Sequence, residues 1–258
     1  MCAIHGFLHA DGRPAGPWRE TLDAMARRQQ HRGPDGEGCY LDPHVGLGHR
    51  RLAIIDPRGG HQPMSAAEGG LQLVCNGEIY NEPQLRRRLE LRGHRFRSRC
   101  DNEVVLHAYA EWGLDFVDRL DGMFAFALWD APRRRLVLGR DRFGKKPLYH
   151  VGNPRRGFAF ASEIKGLWGF PGVDREVDVE ALCDYVSLGY VPREKSIYRK
   201  IRRLLPGHLL VAEDGTVRSW AYAALSFAPR HRDPADVEAL RTVLANAVAK
   251  RLRSDVPV

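Results

Sequence analysis

Long apolar runs are missing from this chain, and none approaches the roughly 18 residues that a membrane-spanning helix requires. The opening stretch, "MCAIHGFLHADGR", also lacks the basic start and apolar core of a secretory signal. These absences lead to the expectation of a cytoplasmic protein with no membrane partner. Paired cysteines are missing too. Cys2, Cys39, Cys75, Cys100 and Cys183 are odd in number, irregular in spacing and free of any C-x-x-C pattern, which argues against disulfides and against zinc or dithiol redox chemistry. A concentrated basic face is the third absence. Lys plus Arg number 40 against 32 Asp plus Glu, a net charge of +8. Yet the clusters at "RRQQHR", 86–88, 133–135 and "RKIRR" are scattered along the chain, and none is interleaved with aromatics as a single-strand binding groove would be. The excess reads as solvated faces, so no nucleic-acid partner is expected; affinity falling steeply with salt would mark that alternative. No internal repeat or low-complexity segment breaks the 258 residues.

What is present is a mixture of two textures. Short apolar stretches bounded by Gly and Pro ("GHRRLAIIDP", "LQLVCNG", "GMFAFALWD", "RRLVLGRD", "GFAFAS") predict strands. Apolar residues three and four apart predict helices in "WRETLDAMARRQQ", "PQLRRRLELRG", "DNEVVLHAYAEWG" and "DVEALCDYVSLG", the last two opening on acidic residues suited to a helix N-terminus. Strands outnumber helices and follow one another across short turns. That order predicts an α+β domain of antiparallel sheets rather than a repeating βαβ unit. After Pro206 the texture shifts to a hairpin around Asp214-Gly215, a linker-like "SFAPRHRDPAD", and a long amphipathic helix in "DVEALRTVLANAVAKRLRSD" whose apolar stripe needs a partner.

Cys2 stands where removal of Met1 would leave a thiol and a free α-amine on one residue. The amine, with an ordinary pKa of roughly 7.7–8.0, is matched to take a proton from the thiol, ordinarily about 8.5. A nucleophile joined to a terminal amine is a known form of activated nucleophile. Position alone is weak support, because small residues are common after an initiator methionine.

Around Cys2 lies an ordered set of motifs: "HRGPDGEG" at 31–38, "LGHRRLAIID" at 47–56, "GHQPM" at 60–64, "CNGEIYN" at 75–81, "CDNEV" at 100–104, "GRDRFGKKPLYH" at 139–150 and "ASEIKGL" at 161–167. With them the sequence resembles the glutaminase domain of glutamine-hydrolysing asparagine synthetases, a class II glutamine amidotransferase of the N-terminal-nucleophile hydrolase family. The resemblance implies a four-layer α/β/β/α sandwich over residues 1–212, with 213–258 forming a linker and the first helix toward a truncated synthetase domain. It implies Cys2 as the nucleophile that forms a γ-glutamyl thioester, and Asn76 with the Gly77 backbone N–H as donors to the oxyanion. It implies Arg51 for the α-carboxylate of L-glutamine and Asp101 for the α-ammonium, with Ile55 and Glu78 completing the glutamine site. On the residues alone, Asn76-Gly77 is first a turn signal, and Asp101 is equally an N-cap for the helix that follows it.

No metal or cofactor is expected in this domain. ATP and magnesium belong, by the resemblance, to a synthetase domain whose Ser-Gly-Gly-x-Asp-Ser loop does not occur in the chain. The chain alone is therefore at most a glutaminase, supplying ammonia for asparagine synthesis to a synthetase domain in cis or in trans; a homodimer is left open. Another ammonia acceptor, or an idle scaffold that docks a synthetase partner, are the alternatives. "GRDRFGKK" imitates a phosphate loop, but Lys146 stands where Ser or Thr would hold magnesium, and "PLYHV" reads as strand. His5 and His9 are separated by a glycine in strand-like context, unsuited to a helical metal pair. His49 and His61 flank the "RRLAIID" segment without a derivable role.

Overall fold

The computed structural model describes residues 1–9, 17–66, 70–227 and 235–257. Its strands are β1 (Ala3–Leu8), β2 (Gly36–Leu41), β3 (Val45–Arg51), β4 (Met64–Ala66), β5 (Leu71–Ile79), β6 (Gly122–Asp130), β7 (Arg135–Arg140), β8 (Tyr149–Asn153), β9 (Gly157–Ala161), β10 (Ile201–Arg203), β11 (His208–Glu213) and β12 (Thr216–Ala221). Its helices are α1 (Trp18–Arg27), α2 (Glu82–Glu90), α3 (Glu103–Trp112), α4 (Ile164–Leu167), α5 (Val179–Leu188) and α6 (Ala235–Arg251). Two antiparallel six-stranded sheets result, ordered β10-β8-β9-β1-β3-β2 and β12-β11-β7-β6-β5-β4. Helices α1 and α4 pack against the first sheet, and α3 against the second with α2 beside it. This is the four-layer α/β/β/α sandwich expected.

Side chains alternate across a strand with a period of two, so each central strand feeds two apolar layers. In β6, Phe124, Phe126 and Leu128 join the layer under α2 and α3, whereas Ala125, Ala127 and Trp129 join the layer between the sheets. In β9, Phe158 and Phe160 point between the sheets and Ala159 and Ala161 point toward α1 and α4. Both faces are covered, which is why these strands read as unbroken apolar runs rather than as alternation.

The hairpin expected at Asp214-Gly215 is present, with both turn residues at positive φ (50° and 71°), the conformation that a tight two-residue turn demands. Position 212 lies inside β11, where Ala212 pairs with Val217 of β12, and Tyr222 Oη donates to Arg140 O at 2.8 Å. Cross-strand pairing therefore carries the second sheet past the point where composition shifts. The linker reading at 226–236 falls largely on residues 228–234, outside the described residues. Helix α6 forms as expected, and Val237, Leu240, Leu244 and Val248 on it are exposed. Among the described residues no helix is long and apolar enough to cross a membrane.

Two local readings are corrected. The strand expected through "GHRRLAIIDP" ends at Arg51, and Leu52–Pro63 form a loop. The reason is Arg51 itself, whose guanidinium donates to the carbonyls of Pro57 (2.9 Å), Ile55 (3.2 Å) and Asp56 (2.6 Å) and curls the chain around its head. Asp101 does not cap α3. The N-cap position is Asn102, with no side-chain cap bond, while the Asp101 carboxylate accepts from the Ile79 N–H in β5 at 2.6 Å. Asp178, by contrast, caps α5 by accepting from Ala181 N–H at 3.2 Å.

Candidate active site

Period-two counting explains why distant motifs meet. Ile4 on β1, Val45 and Leu47 on β3, and Val74 on β5 all face the seam between the sheets. Cys2 lies two residues before Ile4, His49 and Arg51 continue the β3 face, and Asn76 lies two residues after Val74. Register places Ala3 opposite Arg50, so the start of β1 lies beside the end of β3. A single pocket at this open end of the seam is lined by Cys2, Arg51, Ile55, Asn76, Gly77, Glu78 and Asp101, which are the residues expected from the sequence.

Cys2 is held from several sides. Its Sγ accepts from Leu52 N–H at 3.4 Å and donates to Leu52 O at 3.6 Å, while its carbonyl accepts from Arg32 Nε at 3.0 Å. Burial pushes its thiol above the ordinary range. The resting sulfur is thus a protonated thiol that needs a base. The terminal amine in this structure belongs to Met1; burial lowers it, with Arg32 and Lys146 adding to the effect and Cys2 and Asp35 opposing it.

Asn76 is 1% exposed, and its Nδ2 has no hydrogen-bond partner. An unpaired buried donor costs about 1–3 kcal/mol unless water or a ligand satisfies it, and this one lies in the wall of the pocket. Gly77 next to it admits no side chain: a Cβ would lie 2.2 Å from Met123 O on β6. Its carbonyl accepts from Asn102 Nδ2 at 3.3 Å. Asn76-Gly77 sits within β5, and the turn reading of this pair does not hold, because the segment is paired with β6 from Leu71 to Ile79. Glu78 is half-buried, and desolvation raises its carboxyl. Burial likewise pushes Asp101 up to about 6, against the opposing Ile79 hydrogen bond.

The loop Leu52–Pro63 is fastened at both ends. Gln62, 7% exposed, pairs with Cys75 of β5 through Nε2 to O (3.1 Å) and N–H to Oε1 (2.6 Å), directly before Asn76. From the other side, Asp255 beyond α6 donates its N–H to Ile54 O at 3.1 Å and accepts from Asp56 N–H at 2.7 Å. Arg253 meets the buried Glu82 at 2.7 Å. The segment after α6 therefore touches the same loop that carries Ile55.

Among the pocket residues that sequence reasoning left without a role are Gln62, His49 and Lys146. Gln62 stands in "GHQPM", where only tertiary pairing reveals its use. His49 is fully buried on the seam, and burial lowers it to about 3, so it is a neutral ring at ordinary pH. Lys146 also lines the pocket. The "GRDRFGKK" loop holds no phosphate because Asp141, 1% exposed, fills it: its carboxylate accepts from the N–H groups of Phe143 (3.0 Å), Lys145 (3.0 Å), Lys146 (3.1 Å) and Phe124 (3.2 Å). The amide cradle is spent on an internal anion. His5 lies buried within β1, and His61 is exposed.

Two antiparallel sheets packed face to face thus carry, at one end of their seam, a pocket lined by a cysteine from the second position of the chain. The chain belongs to the glutamine amidotransferase domain family, whose model matches residues 1–223. It is 36% identical over 263 residues to asparagine synthetase [glutamine-hydrolyzing] 3 of Bacillus subtilis, covering all of this chain and 42% of that protein. It is 37% identical over 286 residues to a putative asparagine synthetase of Mycobacterium bovis, again over the whole chain and 43% of the relative. The chain thus spans about two fifths of the length of these curated relatives. Among solved structures, glutamine phosphoribosylpyrophosphate amidotransferase from B. subtilis shares the fold, with a TM-score of 0.60 at 20% identity over 86% of this chain and 49% of that one.

Proposed function

We propose that this chain hydrolyses L-glutamine to glutamate and ammonia through a thioester on Cys2. The observation that carries the reading is the unpartnered Asn76 Nδ2, buried in the pocket that also holds the Cys2 thiol. With Met1 removed, the α-amine takes the thiol proton as sulfur attacks the side-chain amide carbon. The oxyanion is received by Asn76 Nδ2 and the Gly77 N–H, and the α-ammonium returns its proton to the departing ammonia. Water then cleaves the thioester by the same exchange. Arg51, beyond its three loop carbonyls, keeps donors for the substrate α-carboxylate, and Asp101 with Glu78 receives the α-ammonium. Acid-quenched intact mass after brief exposure to glutamine should show one γ-glutamyl adduct on Cys2. An unmodified chain that nonetheless releases glutamate would refute the covalent route.

The ammonia, on this reading, serves ATP-dependent synthesis of asparagine from aspartate by a synthetase domain in cis or in trans, as the names of the relatives suggest. ATP and magnesium would bind in that domain, because the imitation phosphate loop here is closed by Asp141. A reducing cytoplasmic setting suits a mechanism that depends on a free thiol.

Two outcomes at the substrate ends follow. Arg51→Ala should raise KM for glutamine at least tenfold with a smaller change in kcat, since the grip is present in ground and transition states alike. An unchanged KM would remove Arg51 from the substrate site. Asp101 gives a pH signature with a definite sign. Protonation as pH falls through about 6 removes the negative charge that holds the ammonium, so KM should climb below that pH and level off above it. Asp101→Asn should start at the high KM and show no such climb; a KM independent of pH in the parent chain would contradict the assignment.

A further inference from the structure

The "GRDRFGKK" loop carries no phosphate, yet its geometry is tightly specified, and what it delivers is Lys146. Asp141 pins the Lys146 backbone N–H, and Gly144 at φ 63° turns the chain where a side chain would strain it. Lys146 is 7% exposed and lines the Cys2 pocket, where its Nζ donates to Met1 Sδ at 3.5 Å. A thioether is a weak acceptor. When Met1 is removed that contact disappears, and the two ionisable groups of Cys2 are left beside a buried cation.

We propose that Lys146 is a positioning residue of electrostatic kind: its charge lowers the pH at which the amine–thiol pair of Cys2 gives up its first proton, arming the nucleophile near neutral pH. A nearby cation disfavours the ammonium and favours the thiolate, so both forms of the pair that carry one proton fewer gain together. The inference rests on the glutaminase reading of Cys2. The other groups facing the pair are Arg32, whose Nε donates to Cys2 O and whose Nη1 meets Glu163 at 3.0 Å, and Arg51 at the end of β3. From β5 come Glu78 and Cys75, from β3 the neutral His49, and from the loop before β2 Asp35, while Cys100 and Asp101 lie across the pocket. Arg32 has a carboxylate partner and Arg51 is engaged by three carbonyls, which leaves Lys146 as the cation whose hydrogen bonding ends with Met1. Against it stands burial, which raises the thiol and lowers the lysine itself.

The test is the rate of Cys2 alkylation by iodoacetamide as a function of pH, without glutamine, on chains shown by intact mass to have lost Met1 and read by peptide mapping at Cys2. Lys146→Met should move the midpoint up by about one pH unit, and Lys146→Arg should leave it near the parent value. The acid limb of kcat/KM for glutamine should move by the same amount. A Lys146→Met midpoint that coincides with the parent overturns the inference, as does an equal shift in Lys146→Met and Lys146→Arg, which would trace the effect to packing. Should Lys146→Met fail to fold, Lys146→Gln carries the same expectation. Alkylation needs no substrate, so a shifted midpoint in a chain that releases no glutamate would support the electrostatic effect of Lys146 on Cys2 and count separately against this chain as a self-sufficient glutaminase.

Discussion

Replacing Cys2 with alanine should abolish glutamate release from glutamine, a fall of about 10⁴-fold or more, because no other group in the pocket can form the acyl intermediate. Of the remaining sulfurs, Cys75 is buried within β5 and Cys100 lies beside Asp101, with burial pushing its thiol up to about 12. Neither presents a thiolate at neutral pH. His49 could serve as a base by its type, yet burial lowers it to about 3 and makes it a weak one, and a base without a nucleophile leaves only direct attack by water. The same loss is expected of a chain that retains Met1, since the peptide bond between Met1 and Cys2 abolishes the basic amine while leaving the thiol in place. Glutamate release by the parent, by Cys2→Ala and by a Met1-retaining chain, each checked by intact mass, separates these cases. Hydrolysis that survives in Cys2→Ala would sink the nucleophile. Absence of hydrolysis in a processed parent chain would favour the idle scaffold, or a site that is completed only by a synthetase domain.

Asn76→Ala should lower kcat by roughly 10²–10³-fold, equivalent to about 2.7–4 kcal/mol, with little change in KM. The asymmetry follows from where the group is idle and where it is used. Its Nδ2 has no partner in the resting protein, so truncation breaks no existing hydrogen bond and relieves the cost of an orphaned donor. The backbone of β5 stays paired to Ala125 of β6 whatever the side chain. The folded state should therefore be at least as stable in urea as the parent, while the developing oxyanion loses its side-chain donor. Asn76→Asp sharpens the test, because it keeps the shape and replaces a donor with an anion where negative charge builds up. A kcat within threefold of the parent in Asn76→Ala would show that the donor is not aimed at the reacting oxygen.

Unequal tolerance at neighbouring positions has a structural cause. Gly77 cannot take a Cβ because β6 lies 2.2 Å away from where it would stand, so even alanine there tests the sheet rather than the chemistry. Arg51 is similarly double: it closes the loop from Leu52 to Pro63 through three carbonyls, and that loop is tied on one side to Cys75 by Gln62 and on the other to Asp255. Loss of the Arg51 grip should loosen the loop as well as the substrate, which is why KM is the parameter expected to move.

Much of this protein is determined by the sequence itself. Local periodicity marks α1, α2, α3 and α5, apolar runs mark the central strands, and Asp-Gly marks the last hairpin, since these depend on neighbours within a turn or a strand. The motifs likewise named the residues that now line one pocket. Tertiary structure decided the rest. Arg51 ends a strand that its own sequence would have continued, because three carbonyls of the following loop are satisfied by its guanidinium. Asp101 reads as a cap and instead fastens α3 to β5, because Ile79 offers a buried N–H that outweighs exposed helix-end donors. Lys146 reads as part of a failed phosphate loop and becomes a pocket cation, because Asp141 supplies the anion that the loop amides need. In each case the deciding partner is distant in sequence or hidden in the backbone, and hydrogen bonds in a water-excluded seam are worth more than the local preferences they overrule.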